Sequence, residues 1–304
     1  MPADSGFATP PTKTASNLAV DLALLFMVTV WAGNVVVLKI LLRTFGPAAL
    51  SGLRFGLLSI VGLGVLAVSG GPWSVARGDV PRLIASALSG ITLAQILFMQ
   101  GLHLTSAFAS NVLQGTEPLF LLILVWTTRA EAVTRRQGVG LLTAFAGTIV
   151  FFLQDARGQA VLTVGMGEVL NLLSALAFAV YAYVSRPLFV RYPGRTVMAL
   201  TLSVGALPLV LLAAPSVFRL DFGSIPYLAW LGVVGSAVFA VYFGYWIWNW
   251  AIRQKGLTHT SLYLFLDVVL SGFFTYLFLG ERFGPWRLLG TGVILTGLHF
   301  ARKP

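Results

Sequence analysis

Cysteine is absent from the 304 residues, and histidine occurs three times. Without thiols there is no disulfide, no thiolate metal site and no thiol nucleophile, and the redox state of the compartment leaves no trace. His103, His259 and His299 are scattered without HExxH spacing, so no metal centre and no cofactor is expected. Neither a phosphate-binding P-loop nor a GxSxG elbow occurs, which removes the usual ATPase and hydrolase signatures. Charge is scarce as well. Asp, Glu, Lys and Arg together make 10% of the chain, with only ten carboxylates.

Apolar residues fill the space, at 57% with a mean hydropathy of +0.87, a balance that no water-exposed surface tolerates. Runs near twenty apolar residues recur, enough at about 1.5 Å per residue to cross a hydrocarbon core of about 30 Å. Only helices satisfy their own backbone in lipid at this economy. An all-α membrane protein of ten transmembrane helices is therefore expected, spanning 18–38, 47–69, 80–102, 105–127 and 135–153, then 165–187, 195–214, 224–250, 259–280 and 285–301. Residues 1–17, rich in Pro, Thr, Ser and Ala, read as a disordered tail.

The net charge of +10 does not indicate nucleic acid, because the basic residues sit between apolar spans. With the N-terminus inside, thirteen of them fall on the cytoplasmic side and six opposite, with Arg54 inside the second span, so both termini are expected in the cytoplasm.

The chain also repeats itself. At an offset of 150, Glu117 matches Asp267, Glu131 matches Glu281, Gly140 matches Gly290 and Gly147 matches Gly297. Nearer the start, Trp31, Ala32, Asn34 and Lys39 match Phe178, Ala179, Tyr181 and Arg186 at 147. Two five-helix repeats, 18–153 and 165–301, follow. Five is odd, so the second copy enters the membrane inverted, the architecture of many secondary transporters with a midplane site between the copies.

Within that frame the polar groups inside spans are the candidates for a central cavity. Glu117 and Asp267 are charges placed deep in apolar runs, where each costs about 2.5–3.5 kcal/mol on insertion scales and faces a partner or a wet cavity. Pro118 disrupts the bond to the Gln114 carbonyl and predicts a kink beside Glu117. Pairing of either acid with Arg54 or Lys39 is the structural alternative. Asn34, Gln95, Asn111, Gln114, Tyr181 and Tyr263 join the acids as substrate-binding candidates, each open to a purely interhelical hydrogen bond. Met99 stands one turn from Gln95 as an adaptable apolar contact. Tyr242, Trp246 and Trp250 fall on one α-helical face, suited to stacking on a substrate or to an interfacial aromatic belt. Glu131 and Glu281, at span ends, read as caps of the next helix or surface ion pairs. Gly52 with Gly56, and Gly140 with Gly147, read as close-packing faces.

The run Trp31-Ala32-Gly33-Asn34 with Lys39, then Leu53-Arg54-Phe55, resembles the opening of EamA-type members of the drug/metabolite transporter superfamily. Glu117-Pro118-Leu119-Phe120 through Glu131, and Leu279-Gly280-Glu281 before a glycine-rich last span, are similar to the ends of that family's halves. The resemblance covers about residues 18–301. It implies a ten-helix exporter of small metabolites in a bacterial inner membrane, without cofactor, most like exporters of neutral and aromatic amino acids. A small-molecule substrate and the lipid bilayer are the implied partners; proton coupling is permitted by the buried acids, and one chain with both halves is expected to act as a monomer. The halves differ, since Val268 stands where the first has Pro118, and residues 127–130 lack a Leu-Gly pair. Efflux of drugs or cationic metabolites on the same fold stays open, as does, from a different class, a membrane-embedded enzyme.

Overall fold

The computed structural model describes residues 17–128, 134–151, 153, 164–260 and 263–302, and among them every regular element is helical. Helix α1 runs Asn17–Ser69 and is broken only at Gly46 (φ 70°, ψ 166°), a left-handed conformation that glycine adopts without a Cβ penalty. Pro47 opens the second limb, where its missing N–H is no loss. The helix thus continues well past the predicted end at 38, because nothing before Gly46 interrupts it. A 3₁₀ turn, Arg77–Asp79, leads into α2 (Val80–Ser86), a π-helical segment (Ala87–Leu93) and α3 (Ala94–Leu104). Then follow α4 (Ala107–Gln114), α5 (Glu117–Thr127) and α6 (Arg135–Phe151).

The rest of the chain gives α7 (Met166–Arg191), α8 (Gly194–Val217) and α9 (Tyr227–Gly235), a second π segment (Ser236–Phe243), and α10 (Gly244–Thr260). The last two helices are α11 (Tyr263–Leu279) and α12 (Pro285–Arg302). Among the described residues, six helical stretches are long and apolar enough to cross a bilayer: Leu18–Ser69, Arg77–Leu104, Ala107–Thr127, Met166–Arg191, Gly194–Val217 and Tyr227–Lys255. The tail predicted over 1–17 lies, but for Asn17, outside the described residues, as does Glu131.

Small residues set the closest approaches. A Cβ on Gly52 would collide with that of Ala213, and one on Gly56 would come within 3.3 Å of Val210 Cγ2, so the second limb of α1 lies tight against α8. Gly147 abuts Gly290 and Ile294 while Gly297 abuts Gly140 and Ala144, which makes α6 and α12 an antiparallel pair. These are the two close-packing faces expected from Gly52 with Gly56 and Gly140 with Gly147.

Polar ties clamp the α3–α4 junction at one end of the bundle. Lys39 Nζ donates to the carbonyls of Leu102 and Thr105, both at 2.6 Å, filling acceptors that the end of α3 leaves open. Gly280 (φ 66°) terminates α11 in the left-handed conformation common after a helix. The turn delivers Glu281, whose carboxylate accepts from Ala107 N (2.8 Å) and Phe108 N (3.0 Å), the first donors of α4. Glu281 is therefore a cap, but of α4, far back in sequence, and not of the next helix. Asp79 accepts from Arg191 (2.9 Å) and from the Tyr192 hydroxyl (2.8 Å) in another polar tie, and Lys255 pairs with Asp21.

Candidate functional site

A cavity of about 140 Å³ lies among α1, α3, α4, α5, α7, α10 and α11. Six of the candidate residues line it: Asn34, Gln95, Asn111, Gln114, Glu117 and Asp267. The sequence explains how they arrive there. Helix α4 stops at Gln114, and α5 begins at Glu117 with Pro118 in its first turn, so the span is divided where a kink was expected. Thr116 Oγ1 donates back to the Leu113 carbonyl and helps to satisfy the frayed end. Glu117 therefore stands at the start of a half-helix, where the N-terminal dipole favours negative charge.

Asp267 reaches the same space from α11, where Asn111 holds it from α4. Asn111 Nδ2 donates to Asp267 Oδ2 at 3.0 Å, and Asp267 Oδ1 has no partner. Gln114 Nε2 donates to Ser174 Oγ at 3.2 Å, which leaves Gln114 Oε1 unpartnered. Asn34 accepts from the Ser236 hydroxyl, and Trp31 Nε1 donates to the Ala240 carbonyl at 2.6 Å, so both are fixed against the second π segment. Neither acid pairs with Arg54 or Lys39: the lysine is engaged by carbonyls, and Arg54 Nε and Nη1 have no partner although the residue is 2% exposed. The alternative of buried ion pairs that merely order the bundle is thus not what the side chains do.

The wall is aromatic. Trp31, Phe98, Phe178 and Tyr245 border the cavity, with Trp31 edge-on to Tyr245 (centroids 6.4 Å apart) and Phe178 tilted against it at 5.7 Å. The arrangement presents acceptors, a cation and apolar rings in one small space. That suits a small amphipathic solute, since pockets for drug-sized ligands run to about 300–1,000 Å³.

Comparison with known proteins settles the family. The model of the EamA-like transporter family matches residues 18–153 and again 165–302. The chain belongs to the EamA-like transporter family. This makes it a membrane transporter, and the names of its relatives point the same way, to transport rather than catalysis. An uncharacterized transporter of Archaeoglobus fulgidus is 24% identical over 280 residues, covering 91% of this chain and 96% of that one. A probable terminal-alkyne amino-acid exporter of Streptantibioticus cattleyicolor is 26% identical, covering 92% of each. A probable amino-acid metabolite efflux pump of Escherichia coli is also 26% identical, covering 90% of this chain and 92% of its own. One protein of known crystal structure superposes with a TM-score of 0.64 at 18% identity, over 94% of this chain and 97% of that one, a likeness in fold alone.

In this EamA-like transporter the remaining candidates lie away from the cavity. Met99 is fully buried in a core cluster with Leu38, Leu42 and Leu50, although Gln95 one turn before it reaches the cavity. Tyr181 sits behind the wall, against Gly90, with its ring stacked on Tyr245 at 6.3 Å. Tyr263 packs in the cluster containing Val20, Leu24 and Trp248.

Of the aromatic face expected from Tyr242, Trp246 and Trp250, only the Trp246–Trp250 pair forms, and it lies outside the cavity. Tyr242 is buried, whereas Trp246 is 48% exposed and stacked on Trp250 at 6.2 Å. Tyr242 lies in a π segment, whose i→i+5 bonding puts it out of phase with the α-helix that follows. Tyr245 takes the inward position instead. A signal for two of the residues not anticipated, Trp31 and Phe178, was present in the chain, since they are partners in the 147-residue match.

Proposed function

We propose that this EamA-like transporter exports small neutral, partly hydrophobic amino acids, aromatic ones included, by alternating access in a bacterial inner membrane. Ten crossings are reached by dividing α1 at Gly46 and adding the shorter helices α6, α11 and α12 to the other long stretches. The halves, 18–153 and 165–301, run inverted, with both termini cytoplasmic and the site between them. One observation supports the duplication and a second its inversion. The π segments Ala87–Leu93 and Ser236–Phe243 recur about 150 residues apart. The repeated glycines also pack crosswise, 147 on 290 and 140 on 297, which is the self-complementary contact that a two-fold axis generates. One chain holding both halves acts as a monomer and uses no cofactor or catalytic step.

The observation that carries the reading is the shared cavity: aromatic walls beside Glu117, Asp267 and unpartnered amide oxygen on Gln114. The rings take the substrate side chain, and the acceptors take its ammonium group. The relatives named as amino-acid exporters lend support. Purified protein in liposomes should release a preloaded neutral amino acid down its gradient, and a broad panel leaking no faster than from empty vesicles would refute the reading. A pH-gradient arm tests proton coupling, which the two acids permit: a coupled exporter accelerates when the gradient is imposed, an uncoupled one does not. The acids also favour a second reading, efflux of cationic metabolites. Glu117→Gln separates them, because cation resistance lost while amino-acid release survives would favour the cationic substrate.

A further inference from the structure

We propose that Arg54 is the anchor for a carboxylate on the transported molecule, so that the site selects substrates bearing an anionic group; this deepens the amino-acid reading above and rests on it for the ammonium end. The first observation is the state of the guanidinium. Arg54 is 2% exposed, lines the cavity, and has neither Nε nor Nη1 hydrogen-bonded. Its aromatic neighbours are the ring of Phe55, with Cζ 5.6 Å from the centroid, and Tyr245 of the cavity wall, whose hydroxyl lies within electrostatic reach. A cation over a ring recovers only a fraction of what a buried charge loses on leaving water.

The second observation is direction. Gly52 and Gly56 turn the second limb of α1 onto α8. At 3.6 residues per turn, position 54 lies about 200° from each and so faces away from α8. The close glycine contact fixes that limb, and the guanidinium is held where it is instead of following a mobile loop.

The third is the charge pattern. Glu117 and Asp267 line the same cavity, yet neither neutralises Arg54. A cavity holding a fixed cation apart from fixed anions matches a zwitterion: carboxylate on the guanidinium, ammonium on the acids. Guanidinium offers a planar fork of donors suited to a carboxylate, which a lysine does not reproduce. An amine without a carboxylate would leave the arginine unsatisfied and gain nothing from it, and selection against such amines follows.

The test uses the full-length protein in liposomes with four labelled probes sharing one ring: L-phenylalanine, L-phenylalaninamide, phenethylamine and 3-phenylpropionate. The wild type should move phenylalanine at least tenfold faster than the amide or the amine. Arg54→Gln should lower phenylalanine transport at least tenfold and bring the phenylalanine-to-amide ratio below about three, with Arg54→Lys intermediate. Amide moving as fast as phenylalanine in the wild type overturns the proposal, and so does an unchanged ratio in Arg54→Gln. If Arg54→Gln fails to reach the membrane, the wild-type ratios and Arg54→Lys decide by the same criteria. Transport of 3-phenylpropionate but not phenylalanine would sink the amino-acid reading while supporting the arginine anchor. Failure of every carboxylate either to cross or to stabilise the purified protein thermally overturns both.

Discussion

At the scale of residues, the site depends on a few polar groups left incompletely bonded. Asp267 shows the pattern: one carboxylate oxygen is held by Asn111, and the other is buried without a hydrogen-bond partner. Replacing Glu117 with Gln, or Asp267 with Asn, keeps the shape and removes the charge proposed to face the ammonium of the substrate. Each change is expected to slow amino-acid efflux about tenfold, equivalent to about 1.4 kcal/mol of lost interaction. Initial rates from proteoliposomes, corrected for the amount of protein inserted, provide the check; rates within twofold of wild type would remove that acid from the site. The two acids were legible in the chain because charge inside an apolar run is rare. Arg54 was visible only as an available base, since pairing is a three-dimensional property that linear spacing does not report.

At the scale of elements, breaks in helices matter as much as helices. Gly46 folds α1 into two limbs, the stop at Gln114 places Glu117 at a helix start, and Gly280 aims Glu281 at α4. Glu281→Ala strands two backbone donors, a penalty of about 1–3 kcal/mol for each buried unsatisfied group. It should lower the melting temperature in detergent clearly more than Glu281→Gln, which keeps an acceptor. Close packing makes a parallel prediction. Gly52→Leu forces a side chain into α8 and should destabilise by about 1–3 kcal/mol or more, while Gly64→Leu, whose Cβ meets open space, should melt close to wild type. Equal melting of the two variants would deny that the α1–α8 approach is tight. The glycine faces were legible because small residues recur at helical spacing. The π segments were not, because a period of 3.6 is assumed in finding a face, and that assumption misplaced Tyr242 relative to Trp246.

At the scale of the whole molecule, the inverted arrangement proposed here has a direct test that the cysteine-free sequence makes simple. Ser74 and Ser224 are both exposed and lie 150 residues apart, after the second limb of α1 and after α8 respectively. If the halves are inverted, Ser74→Cys reacts with a membrane-impermeant maleimide only after the cells are opened, whereas Ser224→Cys reacts on intact cells. Labelling of both from the same side would dismiss the inversion. No native thiol competes in either variant.

Composition alone determined the membrane environment, because 57% apolar residues leave no surface for water, and the repeat with its motifs pointed to the family that the comparison then established. Tertiary structure alone decided which polar groups share one space. Asn34, Gln95, Asn111, Gln114, Glu117 and Asp267 converge while Met99, Tyr181, Tyr242, Trp246 and Tyr263 do not, and Arg54 is left unpaired among them. The reason is physical: burial and period can be read along a chain, but the direction of a side chain depends on how each helix is rotated by its glycine contacts, its breaks and its π turns.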